Sequence, residues 1–158
     1  MQNRLIVLVI AAIMSFGSVF ASNDSGKYFE CTQSATAPNA AMAKQKALLH
    51  ARNLLATMVN GKVKNVSQSY ISNNSLTGDT ADEFMTETKA TASILLKGAE
   101  VADESVVMEK KNRYTVYVTL KLNKKKILDS LCKNISENKS LSNGFDKKKF
   151  TKEWNKNK

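Results

Sequence analysis

The side chains able to do chemistry are few and stand far apart. His50 is the single histidine, so no histidine-rich metal site can be built around it. Cys31 and Cys132 are the two cysteines. A nucleophile pair of Cys31 with His50 would need a thiolate, yet Cys31 falls on the expected buried side of a strand, where a thiol is inert. Asp103 and Glu104 are adjacent on an expected strand and so point to opposite faces, a poor arrangement for a general acid and base. The six glycines stand singly, as turn and cap residues do, and none belongs to a phosphate-cradling loop. These patterns predict no catalytic residue, no metal and no cofactor, and hence a protein that is not an enzyme.

Two other constellations point to contact rather than reaction. Lys147, Lys148 and Lys149 are followed by Phe150 and Trp154. Basic groups with aromatics at i and i+4 could bind an anionic membrane or polymer; the plainer reading is a solvated basic tail. Met42, Leu49 and Ala56 recur every seven residues among Gln45, Lys46, Arg52 and Asn53. A thin apolar stripe on a polar helix side can be a subunit interface, against the plainer reading of scattered surface residues. Specific nucleic-acid binding is not expected.

The element that must position these groups is a helix from Pro38 to Gly61. Pro38 near its first turn, alanine and leucine through its body and Asn60-Gly61 at its end are helix start and stop signals. Ala40, Ala43, Ala47, Leu48, Ala51, Leu54, Leu55 and Met58 share one broad face, interrupted by Lys44. A face made mostly of alanine lets a sheet approach closely and leaves no large pocket. Before the helix, Phe29, Cys31 and Ala35 alternate with polar residues, as in a strand with one buried side. After it, residues 62–71 read as a peripheral extended segment or edge strand, followed by a loop through Asn73, Asn74 and Gly78. Residues 81–97 form a second helix with Ala81, Phe84, Met85, Thr88, Ala92, Leu95 and Leu96 on one arc. Thr80 to Glu83 reads as its capping box and Gly98 as its end. Residues 99–109 and 114–122 make an antiparallel hairpin expected to floor both helices, and residues 123–132 make a short closing helix. The fold class is therefore α+β: two layers, with an Ala-rich helix and a second helix on a small antiparallel sheet.

The ends divide the chain into three parts. Arg4, the apolar run from Leu5 to Met14, and Ser18-Val19-Phe20-Ala21 describe a cleaved signal peptide over residues 1–21. The run is short of the roughly 20 residues that span a bilayer. Ser22 stands where a lipid-anchored chain needs cysteine, so the chain is expected to be exported without a lipid anchor. Residues 22–132 form the domain. Residues 133–158 hold eight lysines against Glu137, Asp146 and Glu153, a net +5 of the chain's +10, and this composition predicts a disordered tail or an isolated, weakly formed helix. An exported chain meets oxidising conditions. A Cys31–Cys132 bridge would close a loop of about 100 residues, worth roughly 4–5 kcal/mol in chain-entropy models; the alternative is two separate buried thiols.

Three blocks taken in order resemble a known family. AKQKALLHARNLLATMVNGKV contributes Ala51, Arg52, Leu54, Leu55, Ala56 and Gly61. LLKGAEV contributes Leu96, Gly98, Ala99 and Val101, and RYTVYVTLKL contributes Tyr114, Val116, Val118 and Leu120. Together they look like the Lpp-twenty-type lipoprotein domain family, which includes the flagellar outer-membrane protein P. The resemblance covers roughly residues 27 to 125 and implies a strand-helix-strand-strand module of the Gram-negative cell envelope. It also implies a non-enzymatic role in assembling outer-membrane structures, often around the flagellum, through self-association into an oligomer or an envelope protein partner. The chain departs from that family in lacking the lipidated cysteine, so what the resemblance implies is a periplasmic location, or one only peripherally at the outer membrane.

Overall fold

The computed structural model of the chain describes residues 26–110 and 112–156. The expected signal peptide, residues 1–21, lies outside the described residues. The element order is β1 (Tyr28–Ala37), α1 (Ala40–Asn73), α2 (Gly78–Leu96), β2 (Glu100–Glu109), β3 (Arg113–Asn123), α3 (Lys124–Glu137), a 3-10 turn (Ser142–Gly144) and α4 (Lys147–Lys156). The strands form one antiparallel sheet ordered β1-β3-β2, with the helices packed on it in an α+β arrangement.

Strand alternation decides which side of the sheet is dry. Phe29, Cys31 and Ala37 of β1 and Val116, Val118, Leu120 and Leu122 of β3 are buried, and the register sets Phe29 opposite Leu122 and Cys31 opposite Leu120. On this side lies α1. Asn39 caps it, its Oδ1 accepting from the Met42 N–H at 2.8 Å and so satisfying one donor of the open first turn. Ala43, Ala47 and Ala51 are completely buried; their lack of bulk lets the helix lie flush on β1 and β3.

The helix does not stop at Gly61, and residues 62–71 are not a strand: α1 continues to Asn73. Its buried positions run Ala43, Ala47, Ala51, Leu55, Val59, Val63, Val66, Ser67 and Tyr70. Steps of four residues overshoot a helical turn by about 40°, so the buried stripe winds around α1 from the sheet toward α2 and α4. The same winding leaves Leu54 and Met58, expected in the core, 38% and 36% exposed. Asn60-Gly61 is a stop signal only where the chain turns left-handed after it, and the packing of the second half of α1 overrides it.

Helix α2 lies against α1 and α3. It begins at Gly78, whose φ of +55° suits glycine, so Thr80 sits inside the first turn and not at a cap. Ser67 Oγ donates to Thr88 Oγ1 at 3.1 Å where α1 and α2 cross, and Thr88 Oγ1 donates to the Phe84 carbonyl at 3.0 Å.

The lysine-rich end is also ordered, contrary to the expected disorder of residues 133–158. Helix α3 runs on to Glu137 and α4 docks on α1 and α3. Phe150 is fully buried and Trp154 nearly so. Tyr70 stacks on Phe84 with ring centroids 5.0 Å apart, and Phe150 meets both edge-on, at 5.5 Å and 5.8 Å. Phe145 closes the group. Tyr70 Oη accepts from the Asp146 N–H at 2.8 Å, and Lys62 donates to the Trp154 carbonyl at 2.7 Å. Four aromatics that look isolated along the chain thus form one cluster, enough to order a segment otherwise made of lysine, asparagine and serine.

The hairpin forms as expected, but it does not floor both helices. Every residue of β2 is exposed, and β1 and β3 alone carry the helical layer.

Candidate interaction surfaces

The predicted chemical groups fall in separate places. His50 projects from α1 into solvent, and Cys31 lies buried beneath the same helix, its Sγ donating to the Ala51 carbonyl at 3.3 Å. Cys132 is buried on α3, beside α4. Both thiols are free, so the Cys31–Cys132 bridge is not formed: one is packed under α1 on the sheet, the other against the helical end. Burial pushes both thiols above the ordinary cysteine range, against a backbone hydrogen bond at Leu55 for Cys31 and the Lys147 charge for Cys132. Such thiols stay protonated and are weak nucleophiles.

Asp103 and Glu104 do point to opposite faces of β2. Asp103 stands opposite Thr119 and Glu104 opposite Val118. Glu104 reaches across the helical side to Lys44 at 2.8 Å, which accounts for a lysine at the edge of the buried stripe. Among the described residues no three His, Cys, Asp or Glu side chains gather as metal ligands would. The partly enclosed hollow beside Tyr70, Phe84, Leu141 and Phe145 holds about 30 Å³, room for a water molecule and little more.

What the molecule offers is surface. Met42 and Leu49 are 45% and 58% exposed on α1, and Ala56 is half-buried beside them. Of the tail residues singled out for an anionic surface, Lys147, Lys148 and Lys149 face solvent whereas Phe150 and Trp154 are committed to the core. Insertion of those two aromatics into a membrane is thereby excluded in the folded chain. Lys148, Lys152 and Lys156 instead form a basic stripe at spacing four on the outer side of α4.

A third surface was not anticipated from the sequence. On the helical side of β2 stand Val101, Val106 and Met108, opposite Leu120, Val116 and Tyr114, and they are 51%, 51% and 63% exposed. Val107, on the other side, is also half exposed. The helical layer leaves this third strand uncovered, and among the described residues its outer edge pairs with nothing. The signal lay in Glu100, Asp103, Glu104 and Glu109: a strand with acids on both faces cannot lie beneath a helix.

The far side of the sheet carries paired threonines. Thr32 and Thr36 of β1 bond Thr119 and Thr115 of β3, each Oγ1 pair 2.7 Å apart, and the Thr115 hydroxyl also donates to the Glu109 carboxylate. These cross-strand pairs spend their hydrogen-bonding capacity on one another and rigidify the sheet.

No protein-family model matches this sequence, and neither a curated protein nor a solved structure shows significant similarity to it.

Proposed function

We propose that the chain is a non-enzymatic structural or assembly protein of the bacterial envelope. In this reading it is exported, resides in the periplasm or peripherally at the outer membrane, and acts by contact with further copies of itself or with an envelope protein. One observation carries the reading: wide apolar surface on β2 and α1 is open to solvent, while the partly enclosed hollow admits nothing larger than water. Exposed apolar runs of this kind mark contact sites. The order β1, α1, α2, β2, β3, a strand-helix-strand-strand plan with a second helix before the hairpin, and the three Lpp-twenty-like sequence blocks support the envelope assignment, and flagellum-associated assembly is its finer form.

Sedimentation of the full chain at micromolar concentration, with fractionation of producing cells, tests the proposal. Self-association, or co-fractionation with the envelope through a partner, is expected. A monomer recovered only from the cytoplasm refutes it.

A second reading has its own observation, the basic stripe of α4. Through Lys148, Lys152 and Lys156 the chain would bind an anionic polymer or membrane electrostatically, without aromatic insertion. Deleting residues 133–158 would uncover the Tyr70–Phe84 cluster, so the clean test is charge reversal at these three lysines. Binding to phosphatidylglycerol vesicles that fades steeply with salt and vanishes in the reversed variant supports this reading; absence of binding at low salt removes it.

A further inference from the structure

Edge strands carry unpaired backbone donors and acceptors, and folded proteins blunt them with bulges and charges. Both devices are present on β2, but they leave the stretch from Ser105 to Met108 bare. The register slips between Val101 and Asp103, and Asp103 and Glu104 follow at once. From Ser105 to Met108 the strand is regular and uncharged, with Val106, Val107 and Met108 each exposed by about half or more. Protection therefore stops where the apolar run begins.

The strand's own sequence selects an occupant. A two-fold axis perpendicular to the sheet keeps both helical layers on one side, and equal faces meet only if the axis passes through a residue. Centring on Ser105 sets Glu104 against Val106 and Asp103 against Val107 of the second copy, burying acids on valines. Centring on Val106 sets Asp103 against Glu109, a like-charge pair. Centring on Val107 sets Val107 against itself, Val106 against Met108, Ser105 against Glu109 and Glu104 against Lys110. This register alone matches apolar with apolar and acid with base, and it ends short of the bulge.

We infer that two copies of the chain join through β2, antiparallel about Val107, into one sheet of order β1-β3-β2-β2-β3-β1. The inference rests on the assembly reading above and names its surface. Val106 and Met108 of both copies then form an apolar strip on the helical side, between the two α1 helices. Glu104, already held by Lys44, becomes the centre of a charge group that Lys110 of the second copy completes.

The test uses the full chain with single cysteines introduced at exposed positions, the native thiols being buried. Opposed residues in an antiparallel pair have Cα atoms roughly 4.5–5.5 Å apart, within disulfide reach. Under mild oxidant Val107→Cys should give a covalent dimer and Val101→Cys should not. Val107→Lys, which sets like charges face to face, should raise the dimer dissociation constant roughly tenfold or more with circular dichroism unchanged. If Leu49→Cys cross-links and Val107→Cys does not, association runs along α1: the β2 inference is overturned and the assembly reading stands. A monomeric wild type with no cross-linking at either position overturns the inference and, without an envelope partner, the assembly reading with it.

Discussion

Gly61→Ala separates the two ways of reading the middle of the chain, because they predict opposite signs. Were Gly61 a left-handed helix end, a Cβ would cost about 1–2 kcal/mol. In the structure it lies inside α1, its φ is not positive, and a Cβ placed on it meets nothing within 4 Å. Glycine in an exposed helix interior is about 0.8–1.0 kcal/mol less favourable than alanine, and part of that difference comes from the freedom of the unfolded chain. A gain of about 0.5–1 kcal/mol is therefore expected. For a domain of this size that raises Tm by about 3 °C and the urea midpoint by roughly 0.3–0.5 M at unchanged slope. Paired chemical and thermal denaturation followed by circular dichroism at 222 nm would measure it. A fall in Tm of similar size would mean that the helix breaks at Gly61, and the continuous α1 would be wrong.

Four further outcomes follow from the packing. Ala47→Leu inserts bulk where α1 lies flush on the sheet with no exposure, and should cost about 1–3 kcal/mol in urea titrations; a neutral effect would show slack in that contact. Phe150→Ala, in the aromatic cluster, should cost about 3–5 kcal/mol and open the C-terminal lysines to trypsin, whereas a loosely held tail would leave stability unchanged. Tyr70 is held above the ordinary tyrosine range by burial, with its hydrogen bond from Asp146 opposing. A raised folded pKa contributes stability that is full below about pH 10 and is lost as pH rises through the folded value. Wild type minus Tyr70→Phe should accordingly show an advantage that shrinks above that pH, and one tyrosine should ionise late in absorbance at 295 nm. A thiol reagent should find Cys31 and Cys132 unreactive until global unfolding and then count two thiols without reductant; a count of zero would mean that they are bridged.

The sequence was most readable where a pattern is local. Alternation of Tyr114, Val116, Val118 and Leu120 announced β3, the arc through Phe84, Thr88 and Ala92 announced α2, and Ile127 with Leu131 announced α3. What escaped were features whose cause lies far along the chain. Residues 62–71 look weakly apolar, and Val63, Val66 and Tyr70 gain meaning only against α2 and α4. Phe150 and Trp154 look stranded among lysines as long as residues 62–71 are read as an extended segment or edge strand, because that reading takes Tyr70 away from them. Of the surfaces, Met42 and Leu49 were visible as a seven-residue repeat, while the bare condition of β2 depended on how wide a layer the helices could cover. Composition cannot supply that width.

The length of α1 has one more consequence. Thirty-four helical residues extend about 51 Å, against about 33 Å for a strand of ten, so one rod serves as axle to two hubs: a β hub near Ala47 and an aromatic hub near Tyr70. Loosening either hub frays the shaft on which the other turns. Melting should accordingly be a single event, and the slowest amide exchange should belong to the shaft between the hubs, around Leu55 to Val63, where both ends must let go before the hydrogen bonds open.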